Sequence, residues 1–270
     1  MTKAWAAGFR IGGILDSMRL ALLLVGLTIA HAPASRAADA QQDEGVRSAC
    51  VSFHHLHLND PRPSFLLNFY ERLFDPATIA RVSSPGADGL KSGSMLMLIS
   101  QAPEARPVAT AIWHFGWGQV SLGETYLAHA RREVAWEPPL PAERLHLHLR
   151  SVNPPAAAAW YRDLLGARVE SSATPPIDDR LPPPENRLPE ALVWIGETGL
   201  LIYRTEPPLL STRGQRADHL AIGCRNLAAA LAALRARGVT AASPPQQSDE
   251  ARAAVIEGPD RIAIELVEIP

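Results

Sequence analysis

Cysteine is nearly missing from this sequence: Cys50 and Cys224 are the only two in 270 residues. That allows at most one bridge and excludes a fold stapled by several. Whether the two pair is left open by the sequence, because Cys224 ends an apolar strand, where a buried free thiol is common. An excess of charge of either sign is also lacking. The 26 Lys and Arg stand against 28 Asp and Glu, a formal charge of -2. Without residues 1–40 the balance is 22 against 26, or -4, so nothing points to a nucleic-acid partner. Long apolar runs are missing too. The run Leu20 to Ala30 is too short to span a bilayer comfortably.

That run has the form of a targeting segment. Lys3, Arg10 and Arg19 precede it, and the small residues Ala34, Ser35, Ala37, Ala38 and Ala40 follow, with Ala38-Asp39-Ala40 or Ser35-Arg36-Ala37 as cleavage sites. Residues 1–40 are therefore read as a signal peptide, starting at Met1 or Met18, and 41–50 as a lead-in. The expected product is exported, periplasmic or secreted, with no membrane segment after cleavage. An uncleaved anchor is the alternative.

What the sequence does have is an internal repeat. His55-Leu56-His57-Leu58 recurs as His146-Leu147-His148-Leu149, and without a gap Pro63 falls on Pro154, Phe69-Tyr70 on Trp160-Tyr161 and Leu73 on Leu164. A third copy starts at His219, where Asn226 matches Asn153 as a helix cap. A partial copy starts at Ala111-Ile112-Trp113-His114-Phe115, with Leu122 to Arg132 as its helix and little room for further strands. Four units thus begin near residues 51, 109, 144 and 217, each a strand, a helix and, where complete, three more strands. Alternation along the last unit sends Leu220, Ile222, Ile264 and Leu266 toward its helix and His219 and Glu265 to the other face. A carboxylate in an apolar strand costs several kcal/mol unless it is paired or bound to a metal, which makes His219 a candidate partner for Glu265.

Tandem strand-helix-three-strand units opening on a His-Leu-His-Leu strand, and closing on Gly258-Pro259-Asp260 followed by Ile264-Glu265-Leu266, resemble the vicinal oxygen chelate (VOC) superfamily. Glyoxalase I, extradiol dioxygenases and the fosfomycin- and bleomycin-resistance proteins belong to it. The resemblance implies an α+β fold in which tandem βαβββ units form curled mixed sheets with helices outside. It divides the chain into an N-terminal half, 51–142, with a degenerate second unit, and a C-terminal domain, 143–270. It also implies a divalent metal, Fe2+, Mn2+ or Zn2+, held by His146, His219 and Glu265. His148 becomes an acid-base candidate, and Tyr203 takes the place where glyoxalase I has a second glutamate. Read this way the protein is an exported metal-dependent enzyme, of lyase, isomerase or dioxygenase type, acting on a small oxygenated molecule. Extradiol dioxygenases carry a histidine and a tyrosine between their last two ligands, and Leu220 to Ile264 contains neither. A non-catalytic small-molecule binding protein of the bleomycin-resistance type is the alternative. Homodimers are common in the family, and the truncated second unit would leave a strand edge to pair.

Overall fold

In the computed structural model the described residues are 50–270 without 73, 75, 94, 106–107, 118–144, 172–187, 243 and 248–251. The expected signal peptide, the helix expected over Leu122 to Arg132 and the proline-rich stretches at 138–141 and 181–184 lie outside them.

The chain's first and last units share one sheet. Strand β1 (Cys50–Asp60) runs antiparallel to β10 (Ala217–Cys224), and each brings its own unit with it. From the first unit come helix α1 (Pro63–Glu71) and strands β2 (Ala80–Ser84), β3 (Ala87–Ser92) and β4 (Met95–Gln101), with β4 parallel to β1. From the last come helix α3 (Leu227–Ala236) and strands β11 (Gln246–Gln247), β12 (Arg252–Glu257) and β13 (Ala263–Glu268), with β13 parallel to β10. The result is an eight-stranded sheet ordered β11-β12-β13-β10-β1-β4-β3-β2. Cys50 and Cys224, opposite each other in the register, form a disulfide at one end of the central pair.

The third unit builds a second sheet. Strands β6 (Leu145–Ser151), β7 (Arg168–Ser171), β8 (Pro189–Ile195) and β9 (Thr198–Arg204) surround helix α2 (Pro154–Leu165). Strand β5 (Ile112–Trp117) of the partial unit pairs antiparallel with β6, giving the order β5-β6-β9-β8-β7. The α+β architecture is as expected, but the grouping of units is not. Residues 143–270 divide between two sheets, because β10 finds its antiparallel neighbour in β1 rather than in β6.

Local chemistry explains the elements. Asn153 and Asn226 each accept a hydrogen bond from the backbone N–H three residues on, at 3.2 and 2.9 Å, and Pro154 occupies the first turn of α2. One apolar cluster then fills the space behind both sheets. It contains Leu56, Leu58, Leu220, Ile222, Ile264 and Leu266 of the larger sheet, Leu147, Leu149 and Ile202 of the smaller, and the buried faces of the helices. Burial of these side chains at about 25 cal/mol per Å² holds the two layers together. In β1 the core residues Phe53 and Leu56 are three apart, an odd spacing that a regular strand would send to opposite faces. A register shift between Phe53 and His55 absorbs the extra residue, His54, and turns His55 and His57 onto the face away from the core.

Candidate metal centre

On that outer face the register lines up polar residues across three strands. His55 lies opposite Ala221 and Ala221 opposite Glu265, while His57 lies opposite His219. Ala221, with no bulk beyond Cβ, leaves space between His55 and Glu265. The Nε2 atoms of His55 and His219 both stand 3.5 Å from the same oxygen, Oε2 of Glu265. Both are buried and, among the described residues, neither has a hydrogen-bond partner. Ring nitrogens of His55, His57 and His219 lie within 4.8 Å of one another.

The other ring atoms fix which nitrogens are available. His219 Nδ1 bonds to Asp218 Oδ1 at 2.6 Å, so in the neutral ring the proton sits there and Nε2 carries the lone pair that a metal would take. Asp218 is itself held, its Oδ2 accepting from Asn59 Nδ2 at 2.9 Å and from the Gly214 backbone N–H at 2.6 Å. Ser100 spends its hydroxyl proton on the Gly86 carbonyl at 3.0 Å, so it accepts from His57 Nε2–H at 2.9 Å and leaves the His57 lone pair on Nδ1. The Nδ1 atoms of His54 and His55 share a hydrogen bond at 2.8 Å. With that proton on His55, its Nε2 also presents a lone pair toward Glu265.

Electrostatics in the metal-free protein divide the histidines. Burial pushes the pKa of His55 well down, and the neighbouring imidazoles His219, His54 and His57 add to this. Burial, with His219, lowers His57 to about 4 against the pull of Asp218 and Glu265. Burial opposes the charged form of His219 as well, but the hydrogen bond to Asp218 and the charges of Asp218 and Glu265 outweigh it and raise its pKa to about 9.

This donor set fits a divalent cation. Metal bonds of about 2.1 Å at a tetrahedral angle separate neighbouring ligand atoms by about 3.4 Å, close to the two 3.5 Å separations from Glu265 Oε2. Two imidazoles and one carboxylate suit Zn2+, Mn2+ or Fe2+ and leave coordination positions open.

The residues expected from the sequence fall into two places. His219 and Glu265 come together as expected, but His146 stands in the other sheet, on β6, and His55 occupies the position assigned to it. All the first strands look alike in sequence, and the relevant partner is the one whose strand pairs with β10. One signal was present: Cys50 stands five residues before His55 and Cys224 five after His219, the symmetry of an antiparallel pair. His148 and Tyr203 also belong to the smaller sheet. There the His114 and His148 rings stack at 4.0 Å, and Tyr203 stacks on His148 at 5.3 Å and packs with Leu192, Leu201 and Trp113. Gly116 leaves room for the neighbouring His146 ring: a Cβ there would meet His146 Nε2 at 2.6 Å. The position corresponding to Glu265 in this sheet is Leu201, opposite His148, and not Tyr203, which lies opposite Arg150. That face is apolar where the larger sheet carries its carboxylate.

Two βαβββ units are thus joined edge to edge, with first-strand imidazoles and a last-strand carboxylate on the face away from the helices. Residues 144–266 match the family model of the Glyoxalase/Bleomycin resistance protein/Dioxygenase superfamily. Among solved structures, a valine-to-glutamate variant of glyoxalase I from Zea mays matches with a TM-score of 0.57 and 12% identity, over 85% of this chain and 96% of that one. A glutamate-to-glutamine variant of the same enzyme matches with a TM-score of 0.54 and 11% identity, over 84% and 96%. Zea mays glyoxalase I without those changes gives 0.50 and 11%, over 80% and 92%. At these identities the likeness establishes the fold. No curated protein matches the chain. The chain carries the VOC fold, with its third and fourth units matching the superfamily model.

Proposed function

We propose that this protein is a divalent-metal-dependent VOC enzyme acting on a small oxygenated organic molecule, with His55, His219 and Glu265 as the metal ligands. The observation that carries the reading is the pair of buried, unsatisfied Nε2 atoms facing one carboxylate oxygen at equal distance. A buried imidazole nitrogen without a partner costs roughly 1–3 kcal/mol, a cost that metal ligation removes.

When bound, the metal supplies Lewis acidity that polarises a carbonyl or hydroxyl oxygen of the substrate. Asp218 orients His219 and keeps its Nε2 aimed at Glu265, and Asn59 and Gly214 keep Asp218 in place. His57 stacks on His219 with ring centroids 4.6 Å apart and is anchored by Ser100 through Nε2, so its Nδ1 is the atom that accepts a proton from a substrate carbon or hydroxyl. This proton-accepting role replaces the one expected of His148. The reading fits lyase or isomerase chemistry, in which a proton moves beside a polarised oxygen.

The Cys50–Cys224 bridge supports export, since such bonds persist in oxidising compartments, and the apolar segment with its small-residue cleavage sites agrees. The test is metal analysis of the purified protein and single variants. One equivalent of metal in the parent, retained in His57→Ala and lost in Glu265→Ala, supports the assignment. A Glu265→Ala protein that keeps its full equivalent removes it.

A further inference from the structure

A cavity of about 540 Å³ lies on the other side of β1 from the metal ligands. Leu58, which lines it, belongs to the core, whereas His57 one residue earlier faces Ser100 and His219. The opening is formed where α1, the end of β1, the start of β5 and the Gln215-Arg216-Ala217 segment meet. Volumes of roughly 300–1,000 Å³ are those of small-molecule sites.

Its walls are rings. Tyr70 and Phe115 stand with centroids 5.7 Å apart, tilted by 51°. Trp113 also lines the cavity, while its ring packs in the separate cluster of Leu192, Leu201 and Tyr203, edge-on to Tyr203 at 5.5 Å with the Arg150 guanidinium 4.8 Å from its centre. The rim is polar, with Asn59, Gln215, Arg216 and the exposed carboxylate of Glu104. Arg216 donates to the buried Asp60 carboxylate at 2.8 Å, so its charge is already matched. Flat faces tilted to one another favour a planar guest, and a hydrogen-bonding rim whose guanidinium is already matched by Asp60 and whose Glu104 carboxylate repels an anion favours a neutral one.

We infer that this cavity is a second small-molecule site, separate from the metal, for a planar uncharged aromatic compound bearing one hydrogen-bonding group, of the phenol or indole class. The site does not depend on the metal reading, since none of its lining residues is a proposed ligand.

The probes are indole and 2-naphthol, titrated calorimetrically into the purified protein, with cyclohexanol as the non-aromatic control. Saturable one-to-one binding with a Kd below about 1 mM is expected, unchanged after chelator treatment. Val108→Trp, which places a ring in the cavity from an exposed loop position, is expected to weaken binding at least 10-fold while Val152→Trp, exposed elsewhere, leaves it as it was. Unchanged unfolding midpoints establish that both variants fold, and Ala105→Trp, on the same loop, serves if Val108→Trp does not. No saturable binding by the parent, equal binding of cyclohexanol, an unaffected filled variant, or binding abolished by metal removal each overturns the inference.

Discussion

At the scale of single residues, the site depends on lone pairs placed by neighbours rather than on the histidines alone. Asp218→Asn removes the acceptor charge that holds His219 Nδ1–H at 2.6 Å. Zinc affinity is expected to fall 10- to 100-fold, read by competition with a chromophoric chelator; an unchanged affinity would mean that Asp218 does not position the ligand. The same carboxylate shapes the pH behaviour of the metal-free protein. His219, raised to about 9, contributes stability that is fully present below the unfolded value near 6.5 and is lost as pH rises from there through 9. His57, lowered to about 4, acts in the opposite sense: its contribution is present above 6.5 and lost as pH falls toward 4. The unfolding midpoint of the metal-free protein is therefore expected to peak near pH 6.5 and decline on both sides. In Asp218→Asn, where the folded pKa of His219 is less raised, the alkaline decline should be smaller and end at lower pH. A midpoint that climbs steadily from pH 6.5 to 9 would contradict the His219 assignment.

At the scale of elements, the pairing of β1 with β10 determines which histidines meet. The sequence showed the faces of β10 and β13 correctly, since Leu220, Ile222, Ile264 and Leu266 are fully buried and Glu265 is partly exposed on the opposite side. It also showed the two asparagine caps, and Asn153→Ala or Asn226→Ala should each cost about 1 kcal/mol in denaturant unfolding. The extra residue in β1 was not legible, because strict alternation assumes an unbroken period of two. The bridge was legible only as an alternative. It spans a sequence separation of 174 and ties the ends of the strands that carry His55 and His219. Replacing both cysteines by alanine is expected to cost up to roughly 5 kcal/mol by loss of the constraint on the unfolded chain. Equal stability of the bridged and alanine proteins would show that the tie does not form in solution.

At the scale of the whole molecule, the repeat fixed the fold class but not the partnership of the units. His55, His114, His146 and His219 hold equivalent first-strand positions, and the local periodicity of each copy says nothing about which distant copy lies beside it. That choice is made by non-local pairing and by the burial that accompanies it, with both sheets closing on one apolar core. The position matching Glu265 is Leu201 in the third unit, opposite His148, and Leu98 in the first, opposite His57. One carboxylate thus serves a pair of units, and the smaller sheet packs rings and aliphatic side chains in the corresponding place. The direct test compares metal content in His55→Ala and His146→Ala, purified alongside the parent and reloaded with Zn2+. His55→Ala is expected to lose its stoichiometric metal and His146→Ala to keep it; metal retained by His55→Ala but lost from His146→Ala would contradict the pairing of the first and last units as the metal centre.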